Sequence, residues 1–353
     1  MQNTSPFPRP SRSAQDALPR EAAVRSRQSR SVLWLATSLL IIFTASLAYA
    51  KDYTRIVVFG DSLSDTGNDA NLTNAKYGFR VPGTIANYTD GRFTDGFDTI
   101  PAAQKYFGVW VEQFAAALPS HPQVENSLDG GTNYAYGFST TGNGTSAFTF
   151  GSVNQFSVNV DNMGQQITDY LSTHPKINSS TLFVIWGGAN NLLNATSLND
   201  VVNGAIAETL NIQRLIEAGA TQFLVLNLPP LGLTPRLSGS PGTSITATAE
   251  AVLFNSWLAT GLSVLNDLYF FRRIAIYRVD VFSLFKQIVA APGSFSLTDV
   301  TTPSQSYILA DPDAYLFWDD VHPTTRGHYI LADAALSAIS SPACVSLGTI
   351  SCH

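Results

Sequence analysis

Charge is scarce in this chain. Asp, Glu, Lys and Arg make up only 13% of its 353 residues, while 45% are hydrophobic. That is low for a cytosolic protein, so solubility has to rest on the plentiful Gly, Asn, Ser and Thr and on any glycans they carry. Cysteine is nearly absent: Cys344 and Cys352 are the two, both near the C-terminus. In an oxidising compartment they are expected to close one small loop that pins the tail, with two free thiols as the alternative. Histidine is limited to five positions, which restricts the choice of a catalytic base. Internal repeats and long linkers are missing as well.

The basic residues are unevenly placed. Six arginines and no lysine fall within residues 1–31, followed by an apolar stretch from Val32 to Leu47 and then Ala48-Tyr49-Ala50. A positive region, an apolar run and an Ala-x-Ala ending predict a secretory signal peptide over residues 1–50, leaving 51–353 as one domain. A retained membrane anchor is the alternative, since the apolar run could nearly span a bilayer. Removing residues 1–50 leaves the remainder four charges more negative than the whole chain's −6. Such a surface does not seek nucleic acid or an anionic membrane. Five Asn-x-Ser/Thr sites, at Asn71, Asn87, Asn143, Asn178 and Asn194, fit a glycosylated protein exported from the cell.

Strand candidates recur at Ile56–Phe59, Leu182–Trp186, Phe223–Leu228 and Ile274–Val279, with helical patterns over Val201–Ala218, Thr246–Tyr269 and Arg326–Ile339. Strands alternating with helices predict an α/β fold, a parallel sheet covered on both faces. Residues 70–159 lack this regularity and read as long loops over the sheet's carboxyl edge.

The chemistry concentrates in a few segments. Ser62 follows the apolar run Ile56–Phe59, where open α/β sheets build their ligand sites. Asp61-Ser62 could also serve as a helix N-cap. The serine needs a base, and of the five histidines only His322 has an acid at a useful offset, Asp319 three residues earlier. His322 and His328 are six apart, which does not place them on one helix face, and no third ligand is near, so a metal site is not expected. Gly-x-Ser-x-Gly is absent throughout, which argues against an ordinary nucleophile-elbow hydrolase. Two segments could supply oxyanion donors: Gly130–Gly137, and Val184–Asn191, where a buried strand runs into Gly-Gly and two asparagines. Asx turns are the structural alternative for those asparagines.

Gly60-Asp61-Ser62-Leu63, Asn133-Tyr134-Ala135-Tyr136-Gly137, Gly188-Ala189-Asn190 and Asp319-x-x-His322 occur in this order. Together they resemble the four blocks of the GDSL, or SGNH, hydrolases. Gly91-Arg92-Phe93-Thr94 and Leu228-Pro229-Pro230-Leu231-Gly232 extend the likeness over nearly all of residues 51–353. The resemblance implies a flavodoxin-like three-layer α/β/α sandwich with a central parallel sheet. It implies Ser62 as nucleophile and first oxyanion donor, with Gly137 and Asn190 as the other donors. His322 would be the base, and Asp319 its partner. The pattern departs from the family at Asn191, where an aspartate is usual, and at Phe138, where a second glycine is common.

The sequence is most similar to fungal secreted acetylesterases. The expected function is therefore a secreted, cofactor-free serine carboxylesterase acting on small esters or acetylated oligosaccharides, without stable membrane association. Aromatic residues at Tyr77, Phe79, Tyr88, Phe93, Tyr106, Phe107 and Trp110 are candidates for stacking on sugars, with core packing as the alternative. A lipase or phospholipase acting on longer acyl chains is the second reading. A non-catalytic glycan-binding protein, suggested by Asn191 and Phe138, is the third.

Overall fold

Every position of β1 (Arg55–Gly60) after Arg55 is buried. A strand reads as a continuous apolar run only when both faces of its sheet are covered. The computed structural model describes residues 52–89, 91–96, 105–151, 155–177, 180–306 and 311–340, all within one compact unit. Helices α1 (Asn68–Tyr77) and α2 (Trp110–Ala117) follow β1, and then the antiparallel pair β2 (Thr145–Phe150) and β3 (Phe156–Asp161). The regular alternation comes next: α3 (Met163–Thr173), β4 (Thr181–Trp186), α4 (Leu198–Glu217), β5 (Gln222–Leu226), α5 (Pro241–Leu268), β6 (Ala275–Val279) and α6 (Val281–Ala290). The described chain closes with β7 (Asp299–Pro303), β8 (Tyr315–Phe317) and α7 (Thr325–Ser340).

The main sheet is parallel, in the order β1-β4-β5-β6. Side-chain alternation splits its residues between two cores. Ile56, Val58, Leu182, Val184 and Trp186 face α2, α6 and α7. Val57, Phe59, Phe183 and Ile185 face α3, α4 and α5. This is the expected three-layer α/β/α sandwich. On the free side of β1, Val58 N–H donates to Thr132 O at 3.0 Å and Tyr134 N–H to Val58 O at 2.9 Å. A single parallel bridge at Asn133 thus stands where a flavodoxin-like sheet has its edge strand.

All four expected strands form. The expected helices form with longer N-termini, as Pro241 and Ser197 extend the starts of α5 and α4. The region read as irregular is more ordered than its sequence suggests. Helix α1 buries Asn68, Asp69, Ala70 and Thr73, so its inner face is polar and carries no apolar period. The β2–β3 pair packs Phe148, Val158 and Val160 with Phe93 and Tyr136 in a separate small core.

Candidate active site

Ser62 lies on a tight turn two residues past β1. Leu63 N–H donates to Asp61 Oδ1 at 3.1 Å, and the Ser64 and Asp65 N–H groups donate to Asp61 O at 3.0 and 3.1 Å. The N-cap alternative falls to a different residue. Asp65 accepts from the Gly67, Asn68 and Asp69 N–H groups at 2.8, 2.8 and 3.2 Å, so it is the carboxylate that caps α1. The turn must also pass close to β4: a Cβ on Gly60 would come within 2.5 Å of Trp186 O. Two buried amides lock it from behind. Gln166 accepts from Gly60 N–H at 3.0 Å and donates to Gly60 O, Ser139 Oγ and Asp161 O. Asn133 donates to Ser64 O at 2.6 Å.

The second half of the site arrives 260 residues later on the segment after β8. Trp318 N–H donates to His322 O at 2.8 Å, and Thr94 Oγ1 donates to Pro323 O at 2.9 Å. Asp95 accepts from Thr325 N–H and Oγ1. Thr94 and Asp95 thereby hold the histidine loop in place. His322 Nε2 lies 2.8 Å from Ser62 Oγ, and its Nδ1 lies 2.6 Å from Asp319 Oδ2. The Phe93 ring stacks on the imidazole at 5.0 Å between centroids. Burial works against ionisation of Asp319, yet His322, with its ring and N–H, and the Tyr88 hydroxyl bring the carboxyl down to about 2. Asp319 is therefore a permanent acceptor that holds the ring with Nε2 towards the serine, and Nε2 can take the Ser62 proton.

Ser62, His322 and Asn190 line one pocket, together with Leu63, Trp186, Pro229, Leu231 and Phe285. Asn190 begins the first turn of the short helix Ala189–Leu193 after β4. Its Nδ2 donates to Ser139 O at 2.9 Å, which uses one of two hydrogens and fixes the amide's orientation. Gly137 is not among the residues lining the pocket, whereas its neighbour Phe138, with φ of 62°, is. Burial raises Asp65 to about 6 and, together with the charge of Asp65, raises Asp69 well above the carboxylate range; the Gly137 N–H counters both shifts. A Cβ at Gly137 would collide with Asp69 Oδ2 and stand 2.6 Å from the Phe93 ring. Close packing against Asp69 and Phe93 explains this glycine.

A family model described as GDSL-like lipase/acylhydrolase matches residues 56–335. The chain belongs to that family. As a GDSL esterase/lipase it is a hydrolase acting on ester bonds. A GDSL esterase/lipase of Arabidopsis thaliana is 28% identical over 305 residues, 78% of this chain and 83% of that one. A phosphatidylcholine-sterol acyltransferase of Aeromonas hydrophila is 24% identical over 360 residues, 86% and 95% of the two chains. An uncharacterized protein from the trpE–trpG intergenic region of Pseudomonas putida is 26% identical over 338 residues. That match covers 90% of this chain but 53% of the relative.

Against the family pattern, Asn191 is accommodated. Its Oδ1 accepts from Thr141 N–H at 3.0 Å and from Thr141 Oγ1 at 3.3 Å, an acceptor role that an aspartate would also fill. Phe138 stacks on Phe148 at 4.4 Å, so its ring is partly held by the β2–β3 core. Neither departure dismantles the serine–histidine–aspartate arrangement.

The other expectations divide. His328 is fully buried; burial lowers its pKa to about 3, and its Nδ1 accepts from Trp110 N–H at the start of α2. It is a neutral core histidine. Among the described residues no cluster of three His, Cys, Asp or Glu is placed to hold a metal ion, and no helix is long and apolar enough to cross a membrane. None of the seven aromatic candidates lines the Ser62 pocket. Trp110 is buried and donates to Ser64 Oγ, Tyr77 and Phe79 pack on Phe150 and Phe156, and Tyr106 stacks with Tyr329. The area of these rings goes to packing rather than to an open sugar platform, whereas Phe107 is exposed away from the pocket lining. Asn143 and Asn194 are exposed, whereas Asn71 is half-buried and its Nδ2 donates to Asn126 Oδ1 and Asp129 Oδ2. Asn178, Cys344, Cys352 and residues 1–50 lie outside the described residues.

Two roles escaped the sequence reading, in which Tyr88 is only a stacking candidate. Tyr88 donates to Asp319 Oδ2 at 2.6 Å, and Gln166 ties the nucleophile turn to the Ser139 loop. Neither belongs to a motif. The one signal available was that Gln166 falls on the buried face of an amphipathic helix, beside Ile167 and Tyr170.

Proposed function

We propose that this protein is a serine carboxylesterase that removes short aliphatic acyl groups, acetyl above all, from polar alcohols such as acetylated oligosaccharides. The observation that carries it is the unbroken hydrogen-bonded chain Ser62–His322–Asp319 in a pocket at the carboxyl edge of the sheet. Ser62 Oγ attacks the ester carbonyl carbon while His322 Nε2 takes its proton. The oxyanion is held by Ser62 N–H and Asn190 Nδ2. His322 returns the proton to the departing alcohol, and water, activated by the same ring, releases the acid from Ser62. No cofactor takes part in these steps. A pocket of about 70 Å³ with aliphatic and aromatic walls suits a short acyl arm. Thr234 and Arg236, the latter paired with Asp320 at 2.9 Å, supply polar groups at the same pocket for the alcohol.

A series of p-nitrophenyl esters from acetate to decanoate, run beside acetylated xylo-oligosaccharides, tests this reading. The highest kcat/KM is expected on acetate and release of acetate from the oligosaccharides. A Ser62→Ala protein with wild-type activity would end it. A second reading, a lipase acting on longer chains, is favoured by the apolar walls; activity rising steadily to decanoate would select it.

We also propose that the enzyme works outside the cell, on the strength of the Arg-rich, apolar, Ala-Tyr-Ala pattern over residues 1–50 and the exposed Asn143 and Asn194 sites. Sequencing the N-terminus of the protein recovered from culture medium tests it: Lys51 is expected first, and retention in the cell would refute it.

A further inference from the structure

One side of the small Ser62 pocket is a wall rather than an opening. Leu193 and Leu231 line that side, and both also line a second, larger cavity of about 440 Å³. Leu237 and Ala247 continue the aliphatic surface into this second cavity, and Thr246 and Glu250, on the same helix as Ala247, add polar groups to its lining.

We propose that Leu193 and Leu231 form the stop that sets how long an aliphatic arm of the ester the enzyme accepts, and that the cavity behind them is a latent subsite for the rest of a longer chain. This rests on the esterase reading above and adds the residues that set its length limit.

The stop is held in register with the chemistry. Leu193 lies three residues after Asn190 in the same short helix, so the oxyanion donor and the stop share one face of one turn. Leu231 is 3% exposed and opens the 3-10 turn Leu231–Leu233. That turn is clamped to the start of α5: Ser244 Oγ donates to Gly232 O at 2.7 Å, and a Cβ on Gly232 would come within 2.5 Å of Thr248 Oγ1. Leu193, half-buried at the end of its helix, is the more easily trimmed of the two. Once it is shortened, an arm that now ends at the wall can continue against Leu237 and Ala247. Each further methylene withdrawn from water favours binding by roughly fourfold.

The test uses the purified protein with two substrate series, p-nitrophenyl esters from acetate to decanoate and alkyl acetates from ethyl to decyl. Leu193→Ala is expected to raise the ratio of kcat/KM for the ten-carbon over the two-carbon substrate by roughly tenfold or more in one series. The series that responds identifies which arm, acyl or alkyl, meets the wall. Leu193→Val, a milder change that guards against loss of folding, is expected to give a smaller rise. Adding Thr246→Phe to Leu193→Ala places a ring in the second cavity and is expected to cancel the gain. An unchanged ratio in both series, in variants that melt cooperatively like the wild type, overturns the proposal. So does a gain that survives Thr246→Phe undiminished. A wild-type protein inactive on every ester would instead bring down the esterase reading, and this inference with it.

Discussion

Tyr88 and His322 share one oxygen of Asp319: the phenol hydroxyl and the imidazole Nδ1 each lie 2.6 Å from Oδ2. The other oxygen accepts from the Val321 and His322 N–H groups at 2.8 and 2.6 Å. Four donors therefore converge on a carboxylate that is 8% exposed. Burial first, and then the charge of Asp319, drive the Tyr88 hydroxyl far above its ordinary range, so it remains a donor at any working pH. Tyr88→Phe removes one donor without removing the ring. The expected result is a fall in kcat of roughly tenfold with KM nearly unchanged, the scale of one hydrogen bond to a charged group. The carboxyl should also ionise less readily. In the wild type, stability contributed by Asp319 is present above the unfolded value near 4 and is lost as pH falls through about 2. In the variant that contribution should be smaller and its loss complete at a higher pH, which acid-denaturation curves of the two proteins would reveal.

Asn190 has one amide hydrogen committed to Ser139 O, and its role is assigned to the second. Asn190→Ala should lower kcat by roughly 100- to 1000-fold with a small effect on KM, the cost of one oxyanion donor. An unchanged kcat on p-nitrophenyl acetate would show that another group holds the oxyanion.

Gln166 is 1% exposed and connects Gly60, Ser139 and Asp161. Replacing it with Ala strands the Gly60 amide and several acceptors in the interior. A loss of about 2–4 kcal/mol is expected. Urea unfolding would show it as a lower midpoint at a similar slope.

His328 links pH to stability. Its folded value, about 3, lies below the unfolded value near 6.5. The unfolded chain therefore binds the proton first as pH falls. The neutral ring's contribution is complete above about 6.5 and declines towards pH 3, by about 1.4 kcal/mol per unit. The buried Asp61 and Asp65 carboxyls, raised to about 6 chiefly by burial, act in the opposite sense over part of this window, so the comparison must be between proteins. His328→Gln keeps an acceptor for Trp110 N–H. Relative to wild type it should gain stability steadily from pH 6.5 to 4; parallel stability curves would refute the assignment.

Much of this molecule was legible in its sequence. The strands at Ile56, Leu182, Phe223 and Ile274 declare themselves because a sheet covered on both faces demands uninterrupted apolar residues. Ser62, Asp319 and His322 were legible for a different reason: few histidines were available, and a short-range acid singled out one. Helix α1 and the Asn133 bridge were not legible, since their buried faces are polar and local pattern carries no sign of partners 60 or more residues away.

The sequence alone determined the layered α/β fold and singled out Ser62, His322 and Asp319, because both depend on residue type and short-range spacing. Only the tertiary structure decided that Gly137 packs against Asp69 and Phe93, that Tyr88 completes the shell of Asp319, and that Leu193 and Leu231 wall one cavity from another. These are long-range encounters. Their physical basis is which buried polar group finds a donor and which apolar side chain stops at which neighbour, and that is set only once the loops at the sheet's carboxyl edge have met.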